Sequence, residues 1–349
     1  MLDQTLLRNL ALAALAALGL YLLSYWLGRF DNLQLATIAY YFVAIAGLTV
    51  LTGLNGQISL GHGALMAIGA YATIKVGESA ELPLAALLAI ATIATALVGV
   101  VIGAGAARLR GPYLAGATLA LAVGLPALAN RFPDFLGGEN GLSTAPPVPP
   151  SSLGVGFALE RWQAWIACAA ALITFVVLAN LVRSRYGRAF RAVRDDEVAA
   201  ALAGLNVARV QVLAFVVSAA CAGLAGGLLV VVTSLAAPGA FTLELSIALL
   251  TAAVLGGLGS LAGAVWGAAI VVLLPTWAED IGRELSLSTS VEANLPLLVY
   301  GVVLIGVMLA APRGIQGALS WAGGLIGRRV RGHTEPRSRG ASAPGEEIT

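Results

Sequence analysis

Between residues 6 and 311 the sequence returns about ten times to one feature, a run of mainly apolar residues close to the ~20 needed to carry an α-helix across a bilayer. Lipid offers backbone amides no hydrogen-bond partners, so such a run must pair its own N–H and C=O groups as a helix. The runs fall at 6–27, 33–51, 58–74, 83–107, 113–130, 162–182, 210–235, 243–258, 262–277 and 295–311. They predict an all-α integral membrane protein with about ten transmembrane helices. Composition points the same way: 59% of residues are hydrophobic and 11% charged, against about 45–50% and about 25% in soluble chains. So few charges cannot cover a water-soluble globule, and a formal charge of +2 suggests no nucleic-acid partner.

Lys and Arg collect in cytoplasmic loops. With ten spans and both termini inside, the outer side holds Arg29, Lys75, Arg131, Arg161 and Arg283, and the other fifteen of the 20 basic residues lie inside. The bias follows the alternation of spans without a loop out of step. Arg8 precedes a run that continues past the ~7–15 residues of a signal-peptide core, so an uncleaved first span is expected. Residues 1–327 read as one membrane domain and 328–349, rich in Arg, Gly, Ser and Pro, as a disordered cytoplasmic tail. The outer loop 131–160 holds a Pro-rich run and is either a solvated connector or a cover over the outer face. A second outer segment, 278–294, carries Glu279, Asp280, Glu284 and Glu292. Cys168 and Cys221 sit in apolar runs without a metal or redox pattern and read as packing residues.

Several chemistries lack their residues. A phosphate-cradling loop needs a lysine followed by Ser or Thr, and Lys75, the only lysine, precedes Val76. The chain therefore binds no ATP or other cofactor through such a loop. An ion-coupled carrier needs ionisable groups within its spans, for which only His62 and Glu244 are candidates.

Two segments carry positive information. The first is the polar, Gly-rich stretch 52–64, from which Asn55, Gly56, Gln57, Ser59, Gly61, His62 and Gly63 form the candidate substrate pathway. Irregular backbone at membrane depth survives only inside protein or beside a water-filled cavity, and broken helices of this kind line substrate routes. The alternative is a tight cytoplasmic turn with small-residue packing. The second is the inner loop 183–209. Gly187 is expected to break the preceding span, Arg188, Arg191 and Arg194 to share one helical face, and Asp195 to cap a following helix. Asp196 and Glu197 suit the positive N-terminal end of that helix, and Gly204 suits its end. Two short helices at an acidic corner result, able to dock in a groove of a cytoplasmic partner. A further stripe, Gly259, Gly263 and Gly267, bares one helical face for close packing, as Gly99 and Gly103 do earlier.

The segments Gly56-Gln57-Ile58-Ser59-Leu60-Gly61-His62-Gly63 with Gly69-Ala70-Tyr71, Gly187 to Arg194, Leu255 to Ser260, and Pro312-Arg313-Gly314 resemble, in the same order, the LivM-type permeases of bacterial high-affinity branched-chain amino acid ABC importers. The resemblance reaches from about residue 40 to about 320. It implies the fold of the large, vitamin-importer-like ABC permeases, in a bacterial inner membrane. It also implies a second homologous permease, two cytoplasmic ABC ATPases that bind ATP and Mg, and a periplasmic substrate-binding protein. It assigns 188–204 to ATPase coupling, by Arg188, Arg191, Arg194, Asp195, Asp196, Glu197, Ala200 and Gly204. The importer signature Glu-Ala-Ala, three residues, Gly is partly kept: Ala199-Ala200 and Gly204 hold the spacing, while Val198 stands for the acid after Glu197. Related readings are the same machine carrying urea, short amides or aromatic acids, a stand-alone ion-coupled carrier, and a membrane scaffold.

Overall fold

The computed structural model describes residues 2–107, 112–154, 156–285, 289–311 and 314–321. The expected tail at 328–349 and the Pro312-Arg313 part of the last motif lie outside them. The described chain is almost wholly helical. In order it runs α1 (Leu2–Trp26), α2 (Arg29–Leu48) with a π-helical extension (Thr49–Leu54), α3 (His62–Ser79), α4 (Leu84–Ala106) and α5 (Pro112–Arg131). There follow α6 (Pro133–Leu136), α7 (Leu159–Arg183), α8 (Arg185–Asp195), α9 (Glu197–Leu202), α10 (Val207–Thr233), α11 (Leu243–Gly256), α12 (Leu261–Glu284) and α13 (Thr289–Ala310).

Each expected span falls on a long helix, but not all ten are spans in their own right. Eight are long and apolar enough to cross a membrane, and Leu298–Ala310 with Gly314–Trp321, bent by 41°, would make a ninth. The remaining one, α3, starts at His62 and ends in the Lys75–Glu78 ion pair at 3.0 Å. Its polar ends and buried flank make it an internal helix that relies on neighbouring protein.

α10 is the hub. It packs against α4, α3, α2 and α8 and buries most of its length. Helices in lipid gain nothing from a hydrophobic effect between them, so small residues that admit close van der Waals contact supply the attraction. A Cβ on Gly226 would strike the Met66 carbonyl of α3, and one on Gly69 of α3 would strike the backbone of Gly223. On the side facing α4, the Gly99 Cβ position lies 2.5 Å from Ala219 Cβ, and that of Gly103 3.1 Å from Phe215 Cβ. The packing expected of Gly99 and Gly103 is therefore present. Cys168 and Cys221 are both free and buried.

One local expectation is corrected, and two outer segments take a definite form. In the stripe 259–267, Gly263 and Gly267 pack on the backbones of Gly256 and Ala252, but Gly259 has φ +85° in the turn between α11 and α12. The helix begins only after Ser260, whose hydroxyl accepts from the Gly263 amide at 3.2 Å, so only two of the glycines share the helical face. The segment 278–294 is largely helical: α12 continues to Glu284, with Arg283 paired to Glu279 at 3.4 Å and Asp280 at 3.5 Å. The loop 131–160 is more than a solvated connector. Its β1 (Leu142–Ser143) pairs antiparallel with β2 (Leu235–Ala236) after α10, and Gly141, at φ +69°, sits where a side chain would strike the Ala236 carbonyl.

Overpacking a tight contact costs about 1–3 kcal/mol. Gly226→Val should accordingly lower the unfolding temperature of the detergent-solubilised protein, whereas Gly116→Ala, with open space around its Cβ position, should leave it unchanged.

Candidate functional site

α2 does not stop cleanly at the polar stretch. Its last turns widen to π geometry over Thr49–Leu54, the chain then runs without helix from Gly56, and α3 begins at His62. The break is satisfied from within the protein, as membrane depth demands. Locally, the Gln57 amide donates to the Leu51 carbonyl at 3.1 Å and the Thr52 hydroxyl to the Gln57 carbonyl at 2.9 Å. From other helices, the Leu60 amide donates to Thr118 Oγ1 at 2.9 Å and the Gly63 amide to Ser246 Oγ at 3.0 Å. His62 is fully buried and its Nε2 lies 3.1 Å from the Ala44 carbonyl.

Of the seven expected pathway residues, Asn55, Gln57, Ser59, Gly61, His62 and Gly63 are buried, and Gly56 with the neighbouring Ile58 forms the exposed edge. Both amide atoms of Asn55, Gln57 Oε1 and His62 Nδ1 are buried without a hydrogen-bond partner among the described residues. Leaving such atoms unpaired costs about 1–3 kcal/mol each. Glu244, the other ionisable candidate, is exposed in the first turn of α11 and not placed within the body.

The inner loop forms the two short helices, with different joints from those expected. The break after α7 is at Ser184, whose Oγ accepts from the Tyr186 amide at 3.1 Å. Gly187 instead lets α8 press on the Val182 backbone. The cap of α9 is Asp196, not Asp195: its Oδ1 accepts from the Val198 amide at 2.8 Å and the Ala199 amide at 3.0 Å. Asp195 binds Arg194 at 2.7 Å. Glu197 Oε1 accepts from Gln211 Nε2 of α10 at 2.8 Å. At the other end Gly204, at φ +85°, closes a Schellman turn in which the Leu205 amide donates to the Ala200 carbonyl at 3.0 Å.

The arginines donate back onto the protein, although Arg188 and Arg194 stay exposed. Arg188 Nη1 donates to the Arg183 carbonyl at 3.4 Å and Arg191 Nη2 to the Val182 carbonyl at 3.3 Å. Both place positive charge on the negative end of α7. Arg194 Nη1 donates to the Gly53 carbonyl at 2.8 Å, and its stem lies against Gly56, at φ +77°. Phe190 and Val193 bury the apolar side of α8, and Ala200 that of α9. What α9 leaves outward is Val198, 70% exposed, and Leu202, 86% exposed.

Four separated segments therefore meet at one junction. A Cβ on Gly53 would strike the backbone of Gly259, and Arg194 clasps the Gly53 carbonyl. Gly314, of the last motif, has φ +74° and packs on Gly257 beside it. Sequence reasoning placed Arg194 on the coupling element and missed its contact with the break. It also missed Thr118 and Ser246, hydroxyls in apolar helices that carry no local signal.

A nearly all-helical body around a protein-lined broken helix, with a capped charged element on one end, is that of a multi-pass membrane permease. The chain belongs to the family of the branched-chain amino acid transport system permease component, which it matches over residues 29–309. It is 29% identical over 308 residues to the high-affinity branched-chain amino acid transport system permease protein LivM of Salmonella typhimurium, covering 81% of this chain and 69% of that protein. The same figures hold for LivM of Escherichia coli. It is 30% identical over 300 residues to the permease protein LivH of Escherichia coli, covering 80% of this chain and 91% of that one. No solved structure matches.

The Arg194 contact is open to direct measurement. Arg194→Ala should speed amide hydrogen exchange over 53–60 while leaving 85–105 of α4 unchanged. Asp196→Ala should cost the ~0.5–2 kcal/mol of a lost cap, read as faster exchange confined to α9.

Proposed function

We propose that the chain is a membrane-spanning permease subunit of an ABC importer, forming with a second homologous permease the translocation pathway for branched-chain amino acids. Two cytoplasmic ATPases, which hold the ATP and Mg, drive it, and a periplasmic binding protein delivers the substrate. The family match supports the transport role, and the names of LivM and LivH support the cargo. The observation that carries the coupling is α9: a six-residue helix capped at both ends, tied to α10 and presenting Val198 and Leu202 to solvent. Two large apolar side chains on a rigid tip fit a groove on another protein.

In this reading, nucleotide-driven movement of the ATPases displaces α9 and α8 as a unit, because Asp196 joins them and Arg194 passes the displacement to Gly53. The break at 55–63 is the part of the membrane body able to respond, since its backbone is not locked in helical geometry. Asn55 can donate to a carboxylate and accept from an ammonium, and Gln57 can accept, so a zwitterion passing the Gly56–Ile58 edge meets weak polar contacts only. Such contacts suit a route rather than a tight site. Arg188 and Arg191 act by holding α8 to α7, with Asp195 fixing Arg194, and Gly204 sets the end of the tip. In keeping with the positive-inside bias, both termini and this loop face the cytoplasm of a bacterial inner membrane.

Leu202→Asp should leave the chain in the membrane, reduce co-purification of the ATPases by about tenfold or more, as for an interface hot spot, and abolish leucine uptake. Gly204→Trp and Arg191→Glu should also abolish uptake at unchanged membrane level. Normal uptake in all three removes the coupling assignment.

A further inference from the structure

α1 lies outside the family match, which begins at residue 29, and rests mainly on α7. The two run antiparallel. Asn9 Nδ2 donates to Asn180 Oδ1 at 3.1 Å near one end, and Trp165 Nε1 donates to Ser24 Oγ at 2.9 Å near the other. Since α1 sits on α7 and not flush against α2, the three helices, with Val265 of α12, leave a trough open to the bilayer. Its longer part is a cavity of about 660 Å³ among Leu12 and Leu20 of α1, Leu35 and Phe42 of α2, and Cys168 and Phe175 of α7. Leu20, Leu35 and Cys168 also line a second cavity of about 240 Å³, which carries the trough on to Tyr21 and Trp165.

The lining of the longer part is hydrocarbon, aromatic carbon and one thiol, so water has no partners there. From Phe175 to Trp165 is ten residues of helix, about 15 Å at 1.5 Å per residue, or half of a ~30 Å hydrocarbon core. The trough is thus one leaflet deep. One turn beyond Trp165 stands Arg161, with the Tyr and Trp side chains that favour the membrane–water interface. Its guanidinium carbon lies 4.6 Å from the Tyr25 ring centre and 5.7 Å from that of Phe157, and its Nε donates to the Ser24 carbonyl at 3.2 Å. Its two Nη groups make no hydrogen bond or ion pair among the described residues. A planar guanidinium fixed by stacking, with four donors to spare, matches the oxygens of a phosphodiester. An apolar helix from another subunit would bury the same charge unpaired, which is unfavourable.

We propose that this trough is a phospholipid site, with one acyl chain lying between α1, α2 and α7 and the phosphate held by Arg161, in the leaflet opposite the α8–α9 loop. The bound lipid completes the wall that α1 leaves open and seats α1 against the family-matched body. It is a structural lipid, separate from the substrate route at 55–63.

The test is native mass spectrometry of the full chain in mild detergent, titrated with phosphatidylglycerol and with the diacylglycerol of the same acyl chains. Wild type should bind one phosphatidylglycerol saturably and diacylglycerol at least about tenfold more weakly, a difference of about 1.4 kcal/mol. Arg161→Ala should lose that preference, Arg161→Lys should keep part of it, and Ala16→Phe, which fills the trough, should bind neither lipid. In unaltered protein, a phosphatidylglycerol with a photoactivatable group at mid-chain should crosslink to residues 12–20 or 168–175. Equal binding of both lipids to wild type, or crosslinks spread evenly to exposed positions elsewhere such as Val101 and Leu309, would overturn the proposal. So would loss of the crosslink when a second permease is bound, which would assign the trough to a protein helix.

Discussion

The hydrogen bond from Arg194 to the Gly53 carbonyl, at 2.8 Å, ties a loop outside the spanning helices to the point where α2 leaves helical geometry. A charged donor makes it one of the stronger bonds available to a backbone carbonyl. Much of the surrounding glycine serves this contact. Gly53 lets the α11–α12 turn approach, Gly56 turns at φ +77° beside the Arg194 stem, and Gly187 allows α8 to fold back on α7. A Cβ on Gly53 would push away the α11–α12 turn, and one on Gly56 or Gly187 would displace the loop. Glycines from distant parts of the chain therefore read as one junction.

The break itself is possible because α10 supports it from behind. A non-helical stretch needs partners for its backbone in a place without water, and α3, on which the stretch ends, is too polar at both ends to stand alone in lipid. The backbone-to-backbone approach of α3 and α10 at Gly69, Gly223 and Gly226 supplies van der Waals contact over a long line. α2 and α4 close on other faces of α10 in the same way, through Gly47 against Cys221 and Gly99 against Ala219. The centre is closely packed, and the segment with irregular geometry is the one clasped by the loop.

Around this centre the chain adds two less integrated parts. The β1–β2 pairing draws the loop after α5 over the end of α10, while α1 stands at the edge, pinned at Ser24 by Trp165 and Arg161. Asn32 of α2 reinforces that corner, its Nδ2 donating to the carbonyls of Ser24, Leu27 and Gly28.

What the sequence determined alone is the helical membrane architecture, the position of the break and the presence of two short helices in the loop. Each follows from one-dimensional physics: span length is set by bilayer thickness, a run of glycines and amides cannot remain a lipid-facing helix, and cap residues act on amides two or three positions away. Even there the cap moved from Asp195 to Asp196, because one residue of slip changes nothing in composition. Only the tertiary structure decided where Arg188, Arg191 and Arg194 point, that Gly259 belongs to a turn and not to a helical face, and that Thr118 and Ser246 serve the break. Those outcomes depend on which carbonyl or amide a neighbouring helix brings within 3 Å, a distance fixed by packing between residues as far apart as Gly53 and Gly259, which no local pattern encodes.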